Sequence, residues 1–164
     1  MKTNCYITTR TTVPADIMAA IDIQTLPCEK KIISRVYPDA NKVFRILKSK
    51  EAARAMAVAD NCDFAIIHED DVLNLMDNNF QAMLDYLLKN ENCGAVVLGR
   101  KNQTHVCCGV TMFRRKFLDD PLLFSELKGN GVCLALSVFF KNNKAGYEQV
   151  DKLERIKHFY GRNN

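Results

Sequence analysis

The feature that most constrains the fold is a regular alternation of short apolar runs with segments of helical periodicity. Five apolar runs are typical of strands, and they cover residues 5–9, 31–36, 64–68, 95–99 and 106–113. Several are continuous enough to be buried on both faces, as strands inside a parallel sheet are. Alternating strands and helices imply βαβ units. We therefore predict a mainly parallel sheet covered by helices on both sides.

Two helices are predicted between the first three strands. The first follows Pro14, a residue suited to an opening turn, and places Ile17 and Ile21 on one face. The second is expected to begin at the potential cap Ser49 and to continue through alanine-rich sequence to Ala59. Both would pack against the sheet.

The strongest helical signal follows Asp77. Apolar residues recur there at helical spacing, namely Phe80, Met83, Leu84, Leu87 and Leu88. A last helix is predicted from Val132 to about Asn142. We expect residues 64–68 to form an interior strand, with the apolar side of the third helix packed on one face of the sheet.

Length and composition favour one compact domain spanning residues 1–164. The 48% hydrophobic fraction is enough for a buried core, and no repeat or flexible linker divides the sequence. The net charge of +4 suits a phosphate-bearing ligand and gives no sign of a disordered tail.

The sequence contains no apolar run long enough for a signal peptide or a membrane span, so we expect a cytoplasmic protein without stable membrane insertion. Its cysteines are Cys5, Cys28, Cys62, Cys93, Cys107, Cys108 and Cys133. They are odd in number, lie mostly in apolar runs and form no CxxC pair. We interpret them as reduced core residues.

An apolar strand leads directly into three consecutive carboxylates, Glu69, Asp70 and Asp71. In open α/β sheets, ligands bind beyond the carboxyl ends of the strands, so acids at that edge face a crevice. Adjacent carboxylates repel one another. A hard cation such as Mg²⁺ or Mn²⁺, which prefers oxygen ligands, would relieve this repulsion. A solvated acidic turn that caps the next helix is the alternative.

This junction resembles the metal-binding motif of GT-A-fold nucleotide-sugar glycosyltransferases, particularly glycosyltransferase family 2. In that family a DxD motif, or an EDD variant, ends an apolar strand and holds the metal that bridges the sugar-nucleotide diphosphate. The first acid of the motif corresponds to either His68 or Glu69. The resemblance implies an α/β, GT-A-like (Rossmann-like) three-layer fold with a central mixed, mainly parallel sheet.

Further motifs of the family occur in the same order along most of the chain. They are the opening strand at 6–10, a Q-T-x-P turn at 24–27, an A-R-N-like helix at 51–55, a strand at 108–115 similar to G-x-x-x-x-F-R-R and an A-G-Y ending at 145–147. Each motif is short. The ordered set carries the resemblance.

The resemblance implies that Asp71 is the principal ligand of a Mn²⁺ or Mg²⁺ ion, assisted by Asp70 or Glu69. His158 is similar to the histidine that many GT-A enzymes present near the C-terminus as an extra metal ligand. Imidazole can join carboxylates around Mn²⁺. An ordinary histidine in a basic tail is the alternative.

The resemblance also implies where a nucleotide sugar would bind, at Thr8, Thr9, Arg10, Arg54, His68, Glu69 and Asp70. The Arg54 guanidinium can give bidentate contacts to a diphosphate, or it can lie on a solvated helix face. Thr8 and Thr9 can hydrogen-bond a base or ribose, yet threonine is also a good strand residue. His68 either orients the carboxylates or is a half-buried structural histidine.

One expected element is missing. The family usually carries an acidic pair, which supplies the general base, just before the helix that ends in A-G-Y. Asn130 and Gly131 stand at those positions here. Glu126 lies about one turn away and is our candidate for the catalytic base.

We therefore expect a glycosyltransferase that transfers a sugar from a nucleotide-diphosphate sugar to an acceptor hydroxyl. The acceptor is open: a glycan, a lipid, a protein or a nucleic-acid base. The alternative is a degenerate, non-catalytic GT-A-like module that binds a nucleotide or a partner. A receiver-like phosphoacceptor domain is a more distant rival, because its acidic pair would normally follow the first strand.

Overall fold

The computed structural model describes residues 1–34, 42–99, 109–124 and 131–159. Its elements are, in chain order, β1 Thr3–Thr9, α1 Ala15–Asp22, β2 Glu29–Ser34, α2 Lys42–Ala59, β3 Phe64–Glu69, β4 Val72–Asn74, α3 Asn79–Lys89, β5 Cys93–Val97, β6 Val110–Arg114, α4 Arg115–Leu118, α5 Val132–Asn142, β7 Gly146–Gln149 and β8 Ile156–His158. The predicted base Glu126 lies outside the described residues, as do Asn130, Cys107 and Cys108.

Six strands form the main sheet in the order β2-β1-β3-β6-β5-β7. β1 pairs in parallel with β2 and β3, and β5 pairs in parallel with β7. β6 runs antiparallel to both of its neighbours, β3 and β5. The mixed, mainly parallel sheet predicted from the sequence is confirmed.

β3 lies in the interior of the sheet, as predicted, and all six of its residues are buried. The apolar side of α3, formed by Phe80, Met83, Leu84 and Leu87, packs in the same core cluster as Ile66 and Ile7. Leu88 points away from this cluster and is 49% exposed. Burial of four large side chains on one helix contributes several kcal/mol, at about 1.5–3 kcal/mol each.

The opposite face of the sheet carries a second core cluster that is rich in aromatic rings. Phe140 of α5 stacks on Tyr147 with ring centroids 5.5 Å apart and meets Phe117 edge-on at 5.1 Å. Helices therefore cover both faces of the sheet, as expected for strands whose residues are apolar on both sides.

The second helix begins earlier than predicted, because α2 starts at Lys42 and contains Ser49 in its interior. The Ser49 hydroxyl is not an N-terminal cap. It donates back to the Ile46 carbonyl oxygen at 2.8 Å, a bond that serine can make inside a helix.

A small second sheet, which the sequence did not indicate, lies at the carboxyl end of β3. It consists of β4 and β8 paired antiparallel. Its strands have three residues each, too short for alternation to be visible in a sequence.

Five cysteines lie in the described part of the chain, and all are free: Cys5, Cys28, Cys62, Cys93 and Cys133. Three of them are buried, as predicted for core residues, whereas Cys28 and Cys133 are partly exposed. None of the helices in the described ranges is long and apolar enough to cross a membrane.

Candidate metal and nucleotide site

The three consecutive acids lie at the carboxyl end of β3, between β1 and β6. Glu69 is the last residue of β3 and pairs in register with Thr8 of β1. Its neighbour Asp70 is almost fully buried, whereas the side chain of Asp71 is 22% exposed. The backbone fixes this turn, because the Asp70 N–H donates to the Thr8 carbonyl oxygen at 3.2 Å.

His158 meets the acidic run from the other end of the chain. Its Nε2 lies 3.2 Å from Asp71 Oδ1 and 4.0 Å from Glu69 Oε2. One donor atom from each of these three residues falls within 4.8 Å of the other two. The structure thus groups two carboxylates and one imidazole around a single point.

Pairing between the two strands of the small sheet produces this meeting. Val72 of β4 lies opposite His158 of β8, so the residue before Val72, Asp71, comes beside the imidazole. The Phe159 N–H then donates to the Asp71 carbonyl oxygen at 2.7 Å. A strand pair between distant segments therefore completes the cluster.

Asp70 is turned away from this group. Its Oδ2 accepts a hydrogen bond from the backbone N–H of Arg10 at 3.3 Å, at the end of β1. Of the four predicted metal ligands, the structure brings together Glu69, Asp71 and His158. It places Asp70 toward the segment that was predicted to contact the nucleotide.

A buried lysine on α2 contacts the acidic run. Lys50 Nζ lies 2.8 Å from Glu69 Oε1, and the two side chains are 2% and 10% exposed. A buried charge pair of this kind is costly to break, because the remaining partner would be left uncompensated. Lys50 therefore supplies a buried positive charge beside Glu69, the first carboxylate of the acidic run.

Lys50 was not predicted from the sequence, which pointed instead to Arg54, one helical turn further on. Arg54 donates to both carboxylate oxygens of Glu51 at 2.8–2.9 Å and to the Leu118 carbonyl oxygen at 2.6 Å. The hydrogen bonds that Arg54 donates to Glu51 raise the pKa of Arg54. The guanidinium is thus engaged by its own helix and by α4, not by the acidic run.

His68 lies beneath the acidic run, with a ring that is fully buried. Burial lowers the pKa of His68 to about 4, so the ring is neutral near pH 7. Nδ1 lies 2.8 Å from the Glu69 carbonyl oxygen, which can only accept, so Nδ1 carries the proton. Nε2 then accepts from the Asn74 side-chain amide at 3.0 Å. The ring supports the run and has no exposed surface.

The hydroxyls of the two predicted threonines serve the backbone. Thr8 Oγ1 donates to the His68 carbonyl oxygen at 3.3 Å, and Thr9 Oγ1 accepts from the Thr11 N–H at 3.3 Å. Both threonines are about 1% exposed, whereas Arg10 is partly exposed. Arg10 is therefore the more accessible of the predicted residues at the end of β1.

Arg114 ends β6 and Arg115 begins α4, and both lie at the edge of the sheet opposite to the acidic run. Arg114 pairs in register with Phe64, the first residue of β3, and donates to the Cys93 carbonyl oxygen at 2.7 Å. Arg115 pairs with Asp119 at 2.8 Å. The G-x-x-x-x-F-R-R segment therefore ends far from the carboxylates, and its arginines stabilise helix and strand ends.

The fold is similar to solved structures of nucleotide-diphospho-sugar transferases. A glycosyltransferase involved in glycosylation of the major capsid of PBCV-1 matches with a TM-score of 0.72 and 10% identity over 99% of this chain and 96% of its own. A mannosyltransferase from Pyrobaculum calidifontis, in complex with GDP-Man and Mn²⁺, matches with a TM-score of 0.66 and 12% identity over 98% of this chain and 58% of its own.

A glucosyl-3-phosphoglycerate synthase from Mycobacterium tuberculosis, in complex with Mn²⁺, UDP and phosphoglyceric acid, matches with a TM-score of 0.61 and 14% identity over 96% of this chain and 70% of its own. No protein-family model and no curated protein matches the sequence. The TM-scores establish a shared fold, and at identities this low they establish the fold alone. The GT-A-like fold predicted from the ordered motifs is confirmed.

Proposed function

We propose that this protein is a metal-dependent glycosyltransferase that moves a sugar from a nucleotide diphosphate to an acceptor hydroxyl. The observation that carries the proposal is the grouping of Glu69, Asp71 and His158 at the carboxyl end of β3, in a GT-A-like fold. This edge of an α/β sheet is where ligands bind.

The three donors fit Mn²⁺ or Mg²⁺. Carboxylate oxygens suit both cations, and an imidazole nitrogen favours Mn²⁺ among the two. In the proposed site Asp71 is the principal ligand, with Glu69 and His158 beside it. A bound cation would act there as a Lewis acid and neutralise charge on the leaving diphosphate.

The protein's own charges arrange the rest of the site. Lys50 compensates Glu69 through the 2.8 Å contact, which leaves Glu69 Oε2 on the side of His158. In this proposal Arg10 and Asp70, at the end of β1, face the nucleoside part of the donor. The mannosyltransferase and the synthase described above were solved with GDP-Man and UDP, which supports a nucleotide-diphosphate sugar as the donor class.

Arg54 is left out of the proposed site, because its guanidinium is engaged by Glu51 and the Leu118 carbonyl. His68 is included as the support of the Glu69 backbone. Thr8 and Thr9 shape the end of β1 through their backbone contacts.

The proposed general base is Glu126, which would accept the proton of the acceptor hydroxyl. It precedes α5 in sequence, as the family's acidic pair does. Replacing Glu126 by Gln should abolish most transfer but leave donor binding intact, since the substitution removes a proton acceptor and little volume. Equal turnover by both proteins would remove Glu126 from the mechanism.

The alternative is a module that binds a nucleotide without turning it over. Gly131 favours it, because this residue caps α5 where the family carries an acid and has no side chain to accept a proton. Chain length does not favour it. The PBCV-1 glycosyltransferase has nearly the same length, with 99% of this chain covering 96% of that one.

The proposal is tested by incubating the protein with UDP- and GDP-sugars, with Mn²⁺ or with a chelator, and by measuring release of the nucleoside diphosphate. Metal-dependent release, with or without an added acceptor, supports a transferase. Binding of UDP or GDP with no release supports the non-catalytic module. Absence of both binding and release would contradict the proposed donor class.

A further inference from the structure

A buried polar network lies directly beneath the cluster of Glu69, Asp71 and His158. Its side chains belong to His68, Asn74, Asn79 and Arg155, and all four are less than 10% exposed. Burying a polar side chain costs free energy unless the side chain forms hydrogen bonds. A buried set whose members are all hydrogen-bonded holds the surrounding segments in one arrangement.

Arg155 occupies the end of this network nearest to β8. Its guanidinium donates to Asp151 Oδ2 at 2.7–2.9 Å, to Asn79 Oδ1 at 3.2 Å and to Asn78 Oδ1 at 3.3 Å. Burial alone would raise the pKa of Asp151, but the hydrogen bonds from Arg155 and from the Leu153 N–H lower it. Arg155 thereby joins the segment before β8 to the start of α3.

The backbone of Arg155 makes the same connection. Its carbonyl oxygen accepts from the Leu75 N–H at 2.9 Å and from the Asn79 side-chain amide at 2.9 Å. Its N–H donates to the Gly99 carbonyl oxygen at 2.9 Å, beyond the end of β5. The hydrogen bonds of this one residue therefore hold the start of β8 against the segment after β4 and against the end of β5.

The network continues from Asn79 to the acidic run. Asn79 Nδ2 lies 3.2 Å from Asn74 Oδ1, and the Asn74 amide donates to His68 Nε2 at 3.0 Å. His68 Nδ1 then donates to the Glu69 carbonyl oxygen at 2.8 Å. A continuous line of hydrogen bonds therefore joins the backbone of Glu69 to Arg155, three residues before His158.

We propose that Arg155 is a positioning residue that holds β8 against β4 and so presents His158 to Asp71 and Glu69. This inference rests on the proposed metal site. Its physical basis is that a three-residue strand pair has too few backbone hydrogen bonds to fix an imidazole precisely, whereas a buried guanidinium with several acceptors does.

The test compares Arg155→Met, which keeps the aliphatic stem, with Arg115→Met as a matched control. Arg115 also pairs with an aspartate four residues away, at 2.8 Å, but it lies at the opposite edge of the sheet. In metal-free protein, Arg155→Met should speed amide hydrogen exchange at Ile156 and Phe159 at least tenfold. The control should not change it. An unchanged exchange rate in Arg155→Met would overturn the positioning role of Arg155.

The second measurement is the Kd for Mn²⁺ alone, by calorimetry. Arg155→Met should raise it about fivefold or more, but should have no further effect once His158 is replaced by Ala, because coupled residues are non-additive. An equal effect in both backgrounds would overturn positioning through His158. Arg155→Lys, which keeps the charge and one donor, should give an intermediate Kd and serves if the Met variant unfolds.

The two proposals fail in different ways. If the unaltered protein binds no Mn²⁺, the proposed metal site is wrong, and this is seen before any variant is compared. If the unaltered protein and Arg155→Met bind Mn²⁺ equally well, the metal site stands and the positioning role of Arg155 is wrong.

Discussion

The imidazole Nε2 of His158 lies 3.2 Å from Asp71 Oδ1, although the two residues belong to opposite halves of the chain. Each is placed by a different strand of the two-stranded sheet, β4 following Asp71 and β8 ending at His158. The geometry of the proposed metal donors therefore depends on a tertiary strand pair as much as on the acidic run itself.

Asp71→Asn should raise the Kd for Mn²⁺ at least tenfold, a loss of about 1.4 kcal/mol, because it removes one negative charge and preserves side-chain shape. The Mn²⁺-dependent binding of UDP or GDP should weaken with it, since a diphosphate beside bare carboxylates meets like charge. Calorimetric titration measures both. Asp85→Asn, on the exposed face of α3, is the control. Equal affinities in all three proteins would mean that the acidic run is a solvated turn.

Lys50→Met should destabilise the fold by about 3–5 kcal/mol, because it leaves the buried Glu69 carboxylate uncompensated. The double variant Lys50→Met/Glu69→Gln should recover much of this loss. Urea denaturation in metal-free buffer gives the free energies of unfolding.

The control for this pair is Lys30→Met. Lys30 contacts Asp22 at a similar distance, 2.7 Å, but the side chains are 27% and 53% exposed. A solvent-exposed pair of this kind contributes about 0–1 kcal/mol. If the Lys50 and Lys30 variants lost the same free energy of unfolding, burial of the Lys50–Glu69 pair would not be the cause of the loss.

Gly94→Ala should destabilise the protein by about 1–3 kcal/mol through overpacking. An added Cβ would lie 2.5 Å from Phe140 Cε1 and 2.6 Å from Phe117 Cε2, so the aromatic cluster would have to move. Thermal or urea unfolding measures the loss. Phe140→Leu should make room, so the double variant should be more stable than the sum of the single losses predicts. Strict additivity would count against this packing explanation.

Cys5 and Cys93 should resist alkylation by iodoacetamide at pH 8 in the native state. Burial raises the pKa of Cys93 to about 11 and the pKa of Cys5 well above its ordinary value, so thiolate is scarce. Among the cysteines in the described part of the chain, Cys133, partly exposed on α5, should be labelled before Cys5 and Cys93. Peptide mapping by mass spectrometry reads each site, with urea-unfolded protein as the fully labelled reference.

Much of the fold follows from local sequence. Residues 64–68 were predicted as an interior strand because a continuous apolar run has apolar side chains on both faces of the strand. In the structure every residue of β3 is buried. The last helix was predicted from Val132 to about Asn142, and α5 has those bounds. Such elements are visible because each buries a side that its own residue pattern defines.

The start of α2 was predicted wrongly, and with this start the sequence did not point to Lys50 as a residue of the candidate site. With Ser49 as the cap, Lys50 would stand at the first position of the helix, where a lysine is normally solvated. In the longer helix, Lys50 stands in the interior and its ammonium is buried against Glu69. Serine occurs at caps and inside helices, so local propensity alone could not separate the two cases.

The sequence by itself determined the alternation of strands and helices, the buried β3 and the position of Glu69, Asp70 and Asp71 at its carboxyl end, because these depend on residues near one another in the chain. Tertiary structure decided which side chains meet those acids. It turned Asp70 toward β1, brought Lys50 from α2 and carried His158 in on β8. Contacts between distant segments depend on strand order and register, which no local pattern encodes.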